Sequence, residues 1–492
     1  MASDVEQTVH QLQHDFQTLM AYVTGSEAQS HTAYEVELTL FRRLLALGAA
    51  LLRLFFVTRA AVRPSEPVTA PGGVCWAYHD QRPTPYYSVF GKVRFWRHDS
   101  TAPGQAGMCP LDAALSLPAH CDSDLLREWA ASGTTDAAYR ASQTVLERIL
   151  GVSLSVQPLE TCVADDAGDV ATFYDPPAVP TALPTVGTIL VVQADGQGVP
   201  MVASQPAPEA PPVRLGTGQK RTKKKEAVVT GLSTIAPYRR TPEEVVAALL
   251  RDSSHTGSAA RPVPVGKELR ATLDGKKVAM TRLVERVAQR DTLHMQQHVA
   301  LSDGAEALQQ QFLTHFPQYT LVLDIIHATE YLWDAANALL GETHAGRTAW
   351  VRGHLEQRLA GHTEALITAL EAEAQGPTCT ATPRQTVLRT VGYYQRNRPS
   401  MHYDQYLACG WPIGTGVIEG ACGHLVKDRM EQAGMRWTKA GAQAVLDPRA
   451  VRINSHWDAY GQFHRQQQHQ RLYGAATPAS EPAEVQVLEL AA

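Results

Sequence analysis

Three apolar runs in this chain each end in a carboxylate: ILVVQAD closes at Asp195, HVALSD at Asp303 and YTLVLD at Asp324. Short runs of β-branched and aliphatic residues bounded by turn signals read as central strands of a sheet covered on both faces. A carboxylate at the end of such a strand is costly to bury unless it is paired, hydrogen-bonded or bound to a cation. For one of them alone a turn former or helix cap is the plainer explanation, since Asp-Gly is a common turn pair. Three together, two of them preceding glycine, call for a fold that gathers strand ends at one place.

The surrounding pattern sets limits on that fold. After the Pro-rich stretch DPPAVPTALPTVG, the segment TILVVQADGQGVPMVAS predicts a strand, a turn at Gly196 to Gly198 and a second strand from Val199. AVVTGLSTI predicts a third, and TPEEVVAALL a helix with Thr241 as N-cap, Pro242 at its first position and Glu244 closing a capping box. KELRATLDGKKVAMTRLVERVAQR reads as a helix, followed by strand HVALSDG, helix AEALQQQFLTHF, strand YTLVLDIIH and helices as far as Pro377. The order β-β-β-α-β-α-β and then helices is that of the ribonuclease H-like fold. The expectation is therefore a multidomain α+β chain. Its ribonuclease H-like core, a mixed five-stranded sheet, spans 181–329 and is interrupted by an all-helical insertion over 330–413. A returning catalytic helix and basic C-terminal helices follow over 414–472, then a flexible tail over 473–492.

Before the core, residues 1–65 predict a helical arm with the stripe Leu38, Leu40, Phe41, Leu44 and Leu45, to be buried against its own core or a second subunit. Residues 66–180 begin with the strand-like YYSVFGKVRFWRHD. Two or three short helices follow: Ser123 caps the first, which stops near Gly133; Thr135 caps the second, which ends at Gly151; another begins at Ser153. Their spacing is compatible with a mostly helical DNA-binding region of helix-turn-helix type, and equally with a plain helical core.

In a ribonuclease H-like sheet the first and fourth strands are parallel neighbours and the fifth lies outside the fourth. At about 4.8 Å between strands, Asp195 and Asp303 can share a divalent cation with oxygen-metal distances of about 2.1 Å. Asp324 falls about 10 Å from the first strand, better placed to hold His327, three residues on. A third acid comes from GWPIGTGVIEGACGHLVKDRM, where Gly414-Thr415-Gly416 signals a helix start and Ile418, Cys422 and Leu425 form an apolar stripe that leaves Glu419 on another face.

Charge and cysteine content exclude several classes. With 44 Lys+Arg against 49 Asp+Glu, a net charge of -5, the chain does not coat nucleic acid through bulk charge, although a local basic groove is compatible with it. Two clusters offer one: Lys220, Arg221, Lys223, Lys224 and Lys225, and the segment Lys427 to Arg471 with a local +4 that includes Lys427, Arg429, Arg436 and Lys439. Trp437, next to Arg436, offers a face for stacking on a flipped or unpaired base, although a core tryptophan is the plainer reading. The 7 cysteines contain no C-x-x-C pair, so neither a disulfide framework nor a Cys-rich zinc site is indicated. MASDVEQTVHQLQHD lacks the regions of a signal peptide, and the run Leu44 to Val57 is broken by Arg53. A cytoplasmic protein without a membrane span is expected.

On these residues the chain resembles the ISKra-family insertion-sequence transposases of the DDE superfamily, with kinship to the Mutator-like group. The resemblance is carried by YYSVFGKVRFWR, MCPLDAALSLP, ILVVQADGQGVPM, LGTGQKRTKKKEAVVT, PYRRTPEEVV, LSDGAEAL, VLDIIHATEYLWDAANAL and most specifically GTGVIEGACGHLVKDRMEQAGMRWTKAGAQAVL. It implies a DNA transposase that cuts transposon ends and joins their 3'-hydroxyls to target DNA. Asp195 matches the first acid, Asp303 the second and Glu419 the last, holding two Mg2+ (or Mn2+) ions. Asp324-Ile325-Ile326-His327 matches a C/D-x2-H signature, with Asp324 the alternative second acid. Partners implied are double-stranded DNA, both terminal inverted repeats and target, and further copies of the chain as a homodimer or higher oligomer. A non-catalytic DNA-binding regulator and a ribonuclease H-like nuclease are the competing readings.

Overall fold

Runs of β-branched and aliphatic residues between Ile189 and Leu323 assemble a five-stranded sheet. A computed structural model describes residues 2–60, 68–69, 75–102, 107, 109–151, 155–175, 189–202, 224–252, 260–291, 295, 297–377, 379–432 and 434–474. They divide into two compact units, one holding the residues before Tyr174 together with those from Trp457 on, the other Tyr174–His456. The last helix, Trp457–Tyr473, thus groups with the N-terminal residues rather than with the segment that carries Glu419.

In the first unit β1 (Val68–Thr69), β2 (Cys75–Ser88) and β3 (Gly91–Thr101) form an antiparallel sheet. The long helix Ala33–Ala60 packs along β3, where Phe56 stacks on Phe95 with ring centroids 4.2 Å apart. Helices Asp124–Asp136, Tyr139–Leu150 and Val156–Gly168 enclose a core of Val89, Leu126, Ala130, Leu146, Leu150 and Leu159. Ser123 caps the first, accepting from the Leu126 amide, and Gly151 ends the second in the left-handed region at φ 68°. The first helix does not stop near Gly133: it runs to Asp136, and the Thr135 hydroxyl donates to the Ser132 carbonyl instead of capping the next helix, whose N-cap is Ala138. Back-bonding of this kind lets threonine sit inside a helix. Ser153 lies outside the described residues.

The second unit contains β4 (Ile189–Pro200), β5 (Lys224–Ile235), β6 (Val265–Thr272), β7 (Gln297–Ser302) and β8 (Thr320–Leu323) in the order β6-β5-β4-β7-β8. β4, β5 and β6 are antiparallel, while β7 and β8 run parallel to β4, so the α+β chain carries a mixed five-stranded sheet. Two predictions fail locally. β4 does not turn at Gly196 but continues to Pro200, paired with β5 at every residue. KELRAT is strand β6 rather than helix, and only Lys276–Arg290 is helical, entered through Gly275 at φ 92°. The capping box of Thr241 and Glu244 is present as predicted.

Each face of the sheet is covered. Leu190, Val192 and Ala300 pack on the helices Lys276–Arg290 and Glu306–His315. Ile189, Val191, Val299 and Leu301 share one apolar core with Leu332, Val351, Leu366 and Val387 from the helices that follow β8. Those helices, from Ile325–Leu340 to Tyr403–Cys409, share this core with the sheet. No helix among the described residues is long and apolar enough to cross a membrane.

Candidate functional site

The parallel registers decide where the aspartates stand. β4 pairs with β7 up to Gln193↔Leu301, and two residues farther along each chain are Asp195 and Asp303. β7 pairs with β8 up to Ser302↔Leu323, and one residue farther along each are Asp303 and Asp324. Extended past their last pairs, the parallel registers put all three carboxylates level and on one face, Asp195 within β4 where its pairing with β7 has ended, and Asp303 and Asp324 just beyond the ends of β7 and β8.

Glu419 reaches this row on the helix Gly416–Ala421, which continues through a π-helical turn, Cys422–Lys427. The first amides of a helix lack internal partners. Here the Ile418 amide donates to Gln193 Oε1 at 3.1 Å, which fixes the helix end to β4. Thr415 is at the predicted N-cap position, yet its hydroxyl accepts no capping bond from a backbone amide and instead donates to Glu419 Oε1 at 2.5 Å. Its amide donates to Asp324 Oδ1 at 3.2 Å. The Cys422 thiol, from the π turn, approaches Asp195 Oδ2 at 3.5 Å.

Asp324 has its hydrogen-bonding capacity consumed. It is fully buried and N-caps the helix Ile325–Leu340. Oδ1 accepts from the amides of Ile326 and Thr415, and Oδ2 from the amide of His327 and from its Nδ1 at 2.6 Å. A carboxylate offers about four lone-pair sites, so the protein occupies them all. Burial pushes this carboxyl up, but the hydrogen bonds from His327 and the amides outweigh it and hold it below the usual range. The bond to Asp324 raises His327 to about 9, against the opposing effect of burial. An imidazolium therefore stands in the acidic row at neutral pH, 3.8 Å from Glu419 Oε1.

The other two aspartates are half-buried and less committed. Asp195 accepts from the Gly196 amide at 2.6 Å, and burial together with the charge of Asp303 raises its carboxyl. Asp303 accepts from the Ala305 amide at 2.9 Å, so it shapes the turn as well as lining the row. Ligand atoms of Asp324, His327 and Glu419 lie within 4.8 Å of one another, a metal-like spacing that among the described residues does not extend to Asp195 and Asp303; within it Asp324 and His327 are already bonded to each other, which leaves Glu419 the uncommitted member.

The basic residues distribute unevenly. Lys220, Arg221 and Lys223 lie outside the described residues. Lys224 pairs with Glu431 at 2.7 Å, and Lys225 is half-buried on β5. Arg429 corrects the expectation of a DNA contact: it is fully buried, 3.4 Å from Met435 Sδ and 4.9 Å from the Trp437 ring, because this bend needs a large side chain to fill its core. Trp437 is buried as expected, its indole donating to the Met430 carbonyl. Arg449 is likewise buried and donates to the carbonyls of His424 and Leu425. Lys439 is exposed and pairs with Asp274 at 2.7 Å; Lys427 and Arg436 are exposed with no ion pair among the described residues. Sequence reasoning missed Gln193 and the linking role of Thr415; the one available signal was a glutamine inside the apolar run ILVVQAD. No protein-family model matches this chain, and comparison with curated proteins gives no match either.

Proposed function

We propose that the protein is a DNA transposase of the ISKra type with a ribonuclease H-like core, which cuts transposon ends and joins them to target DNA. The observation that carries this reading is the level row of Asp195, Asp303 and Asp324, with Glu419 delivered to it on a separate helix. The strand order, with the first and fourth strands central and parallel, supports it.

A divalent cation suits these residues. Asp195 and Asp303 place like charges level on neighbouring strands, and the Asp195 carboxyl is raised by burial first and by the charge of Asp303 in addition. Asp195 Oδ2 meets only a thiol, a weak donor, and so remains available. Mg2+ keeps several waters and takes one or two carboxylates, which fits acids that are near one another without forming a closed cage. Asp195, Asp303 and Glu419 would hold such ions, and Asp324, with no lone pair to spare, would position His327 and Thr415. When bound, the metal supplies charge neutralisation at a phosphate and a lowered pKa for an attacking oxygen. The chain's own part is orientation: Thr415 fixes the Glu419 carboxylate, Gln193 anchors its helix and Asp324 holds the proton on His327 Nδ1.

The test is a cleavage and joining assay with Mg2+ on DNA bearing the sequences that flank the reading frame. Asp195→Asn, Asp303→Asn and Glu419→Gln are expected to abolish strand cleavage and leave end binding intact. Full cleavage by Asp303→Asn together with an inactive Asp324→Asn would move the second acid to Asp324. Hydrolysis without joining would make the protein a nuclease.

A further inference from the structure

Behind the segment that carries Thr415 lies a cavity of about 540 Å³, within the range of roughly 300–1,000 Å³ typical of small-ligand sites. Its apolar walls include Ile235, Val245, Leu249, Trp411 and Ile413. Three arginines also line it: Arg240, Arg251 and Arg261. Arg240 is held in place, donating to the carbonyls of Tyr238 at 3.2 Å and Trp411 at 2.7 Å, with its guanidinium over the Tyr238 ring. Burial lowers its pKa and the nearby charge of Arg261 lowers it further. None of the three has a carboxylate within ion-pair distance among the described residues, whereas the acids of the cavity are engaged: Glu244 in the capping box and Asp252 with Arg352 at 2.9 Å. Arg251 also adopts φ 54°, a left-handed conformation uncommon for a residue with a long side chain.

An apolar pocket edged by arginines that repel one another fits a ligand with a flat apolar body and an anionic group. We propose that this cavity binds a nucleotide unit, its phosphate between Arg240 and Arg261 and its base against the apolar wall. Guanidinium forks match phosphate oxygens in pairs, and bases pack on apolar and aromatic surfaces. The choice of a nucleotide among such anions rests on the proposed activity on DNA; the cavity and its arginines do not. The source is either a free mononucleotide or an unstacked nucleotide of a bound strand. The occupant would touch Gly414 and Gly416, on either side of the residue that orients Glu419.

The full chain is titrated calorimetrically with dAMP, with dTMP and with inorganic phosphate alone. In parallel, single-stranded DNA carrying 2-aminopurine is followed by fluorescence. Two variants accompany the wild type: Arg261→Glu, an exposed residue with no ion pair among the described residues, and Ala248→Phe, which fills the cavity from its rim. Saturable mononucleotide binding that weakens roughly tenfold or more in both variants supports the proposal and names the free source. A 2-aminopurine response lost in both variants, without mononucleotide binding, supports it and names the strand. Phosphate binding as tightly as dAMP overturns it in favour of a bare anion site, and ligand responses absent or unchanged in both variants overturn it outright. Unimpaired end cleavage in the wild type alongside either negative result would sink the cavity proposal and leave the DNA activity standing.

Discussion

Asp324 shows what a single residue in this site is for. Sequence placed it at the end of a strand and allowed it to be either an acid of the site or the holder of His327; its four hydrogen bonds favour the holder. Asp324→Asn keeps the shape but removes the charge that raises His327, so the His327 pKa is expected to fall from about 9 towards its ordinary value of about 6.5. Histidine proton resonances followed through a pH titration of metal-free protein measure this directly. The linkage has a definite sign. A raised histidine contributes stability fully below its unfolded pKa and loses it as pH rises through about 9. The wild type should therefore exceed Asp324→Asn in denaturant stability most just below about pH 6.5, by on the order of 1–3 kcal/mol, with the margin shrinking as pH rises towards about 9 and gone above it. The aspartates were legible because an acid ending an apolar run is conspicuous. Thr415 and Gln193 were not, since their partners lie 91 and 225 residues away in sequence and only the folded chain joins them.

At the scale of elements, the turn after β7 rests on one glycine and the last helix on a pair of charged contacts. Gly304 has φ 91°, and a Cβ there would sit 2.5 Å from the Tyr393 hydroxyl and 2.9 Å from Leu323 Cδ1. Gly304→Ala is expected to cost about 1–3 kcal/mol, through the backbone strain and the displaced tyrosine, and to lower the thermal midpoint measured by circular dichroism. The glycine after Asp195 has a different role, lying inside β4 opposite Val228, so the turn predicted there does not form. In the first unit the helix Trp457–Tyr473 is tied down through His464, 2.6 Å from Asp169 and 3.2 Å from Asp166, and through Arg471 on Asp169. Burial pulls the His464 pKa down, but the two carboxylates outweigh it and leave it raised. Its stabilisation is present below about pH 6.5 and is lost as pH climbs through the raised folded value. His464→Asn should therefore lower the thermal midpoint more at pH 6 than at pH 9; an equal loss at both would show that charge has no part in holding the helix.

For the whole molecule the open quantity is how a chain of net charge -5 would hold DNA. Counting cations along Lys427 to Arg471 gave a basic C-terminal segment, but folding redistributes it. Arg429 and Arg449 are buried, Lys439, Arg465 and Arg471 meet carboxylates, and Lys427 and Arg436 stay exposed without an ion pair among the described residues. Charge counting misjudges the segment because burial depends on long-range packing: an arginine spanning the bend between Lys427 and Trp437 looks in sequence like any other cation. If the protein binds DNA as proposed, Lys427 and Arg436 are its candidates for phosphate contact in this segment. Replacing either by Glu should weaken binding similarly across unrelated sequences and reduce the slope of log affinity against log salt by about 1. Arg429→Ala should act differently, lowering thermal stability by opening a hole beneath Trp437 while leaving the salt slope of the folded fraction unchanged. Fluorescence anisotropy on a labelled duplex over a series of salt concentrations, paired with thermal melts, separates the two effects. A salt slope that falls in Arg429→Ala and holds in both Glu variants would reverse the assignment and mean that the bend opens to admit DNA.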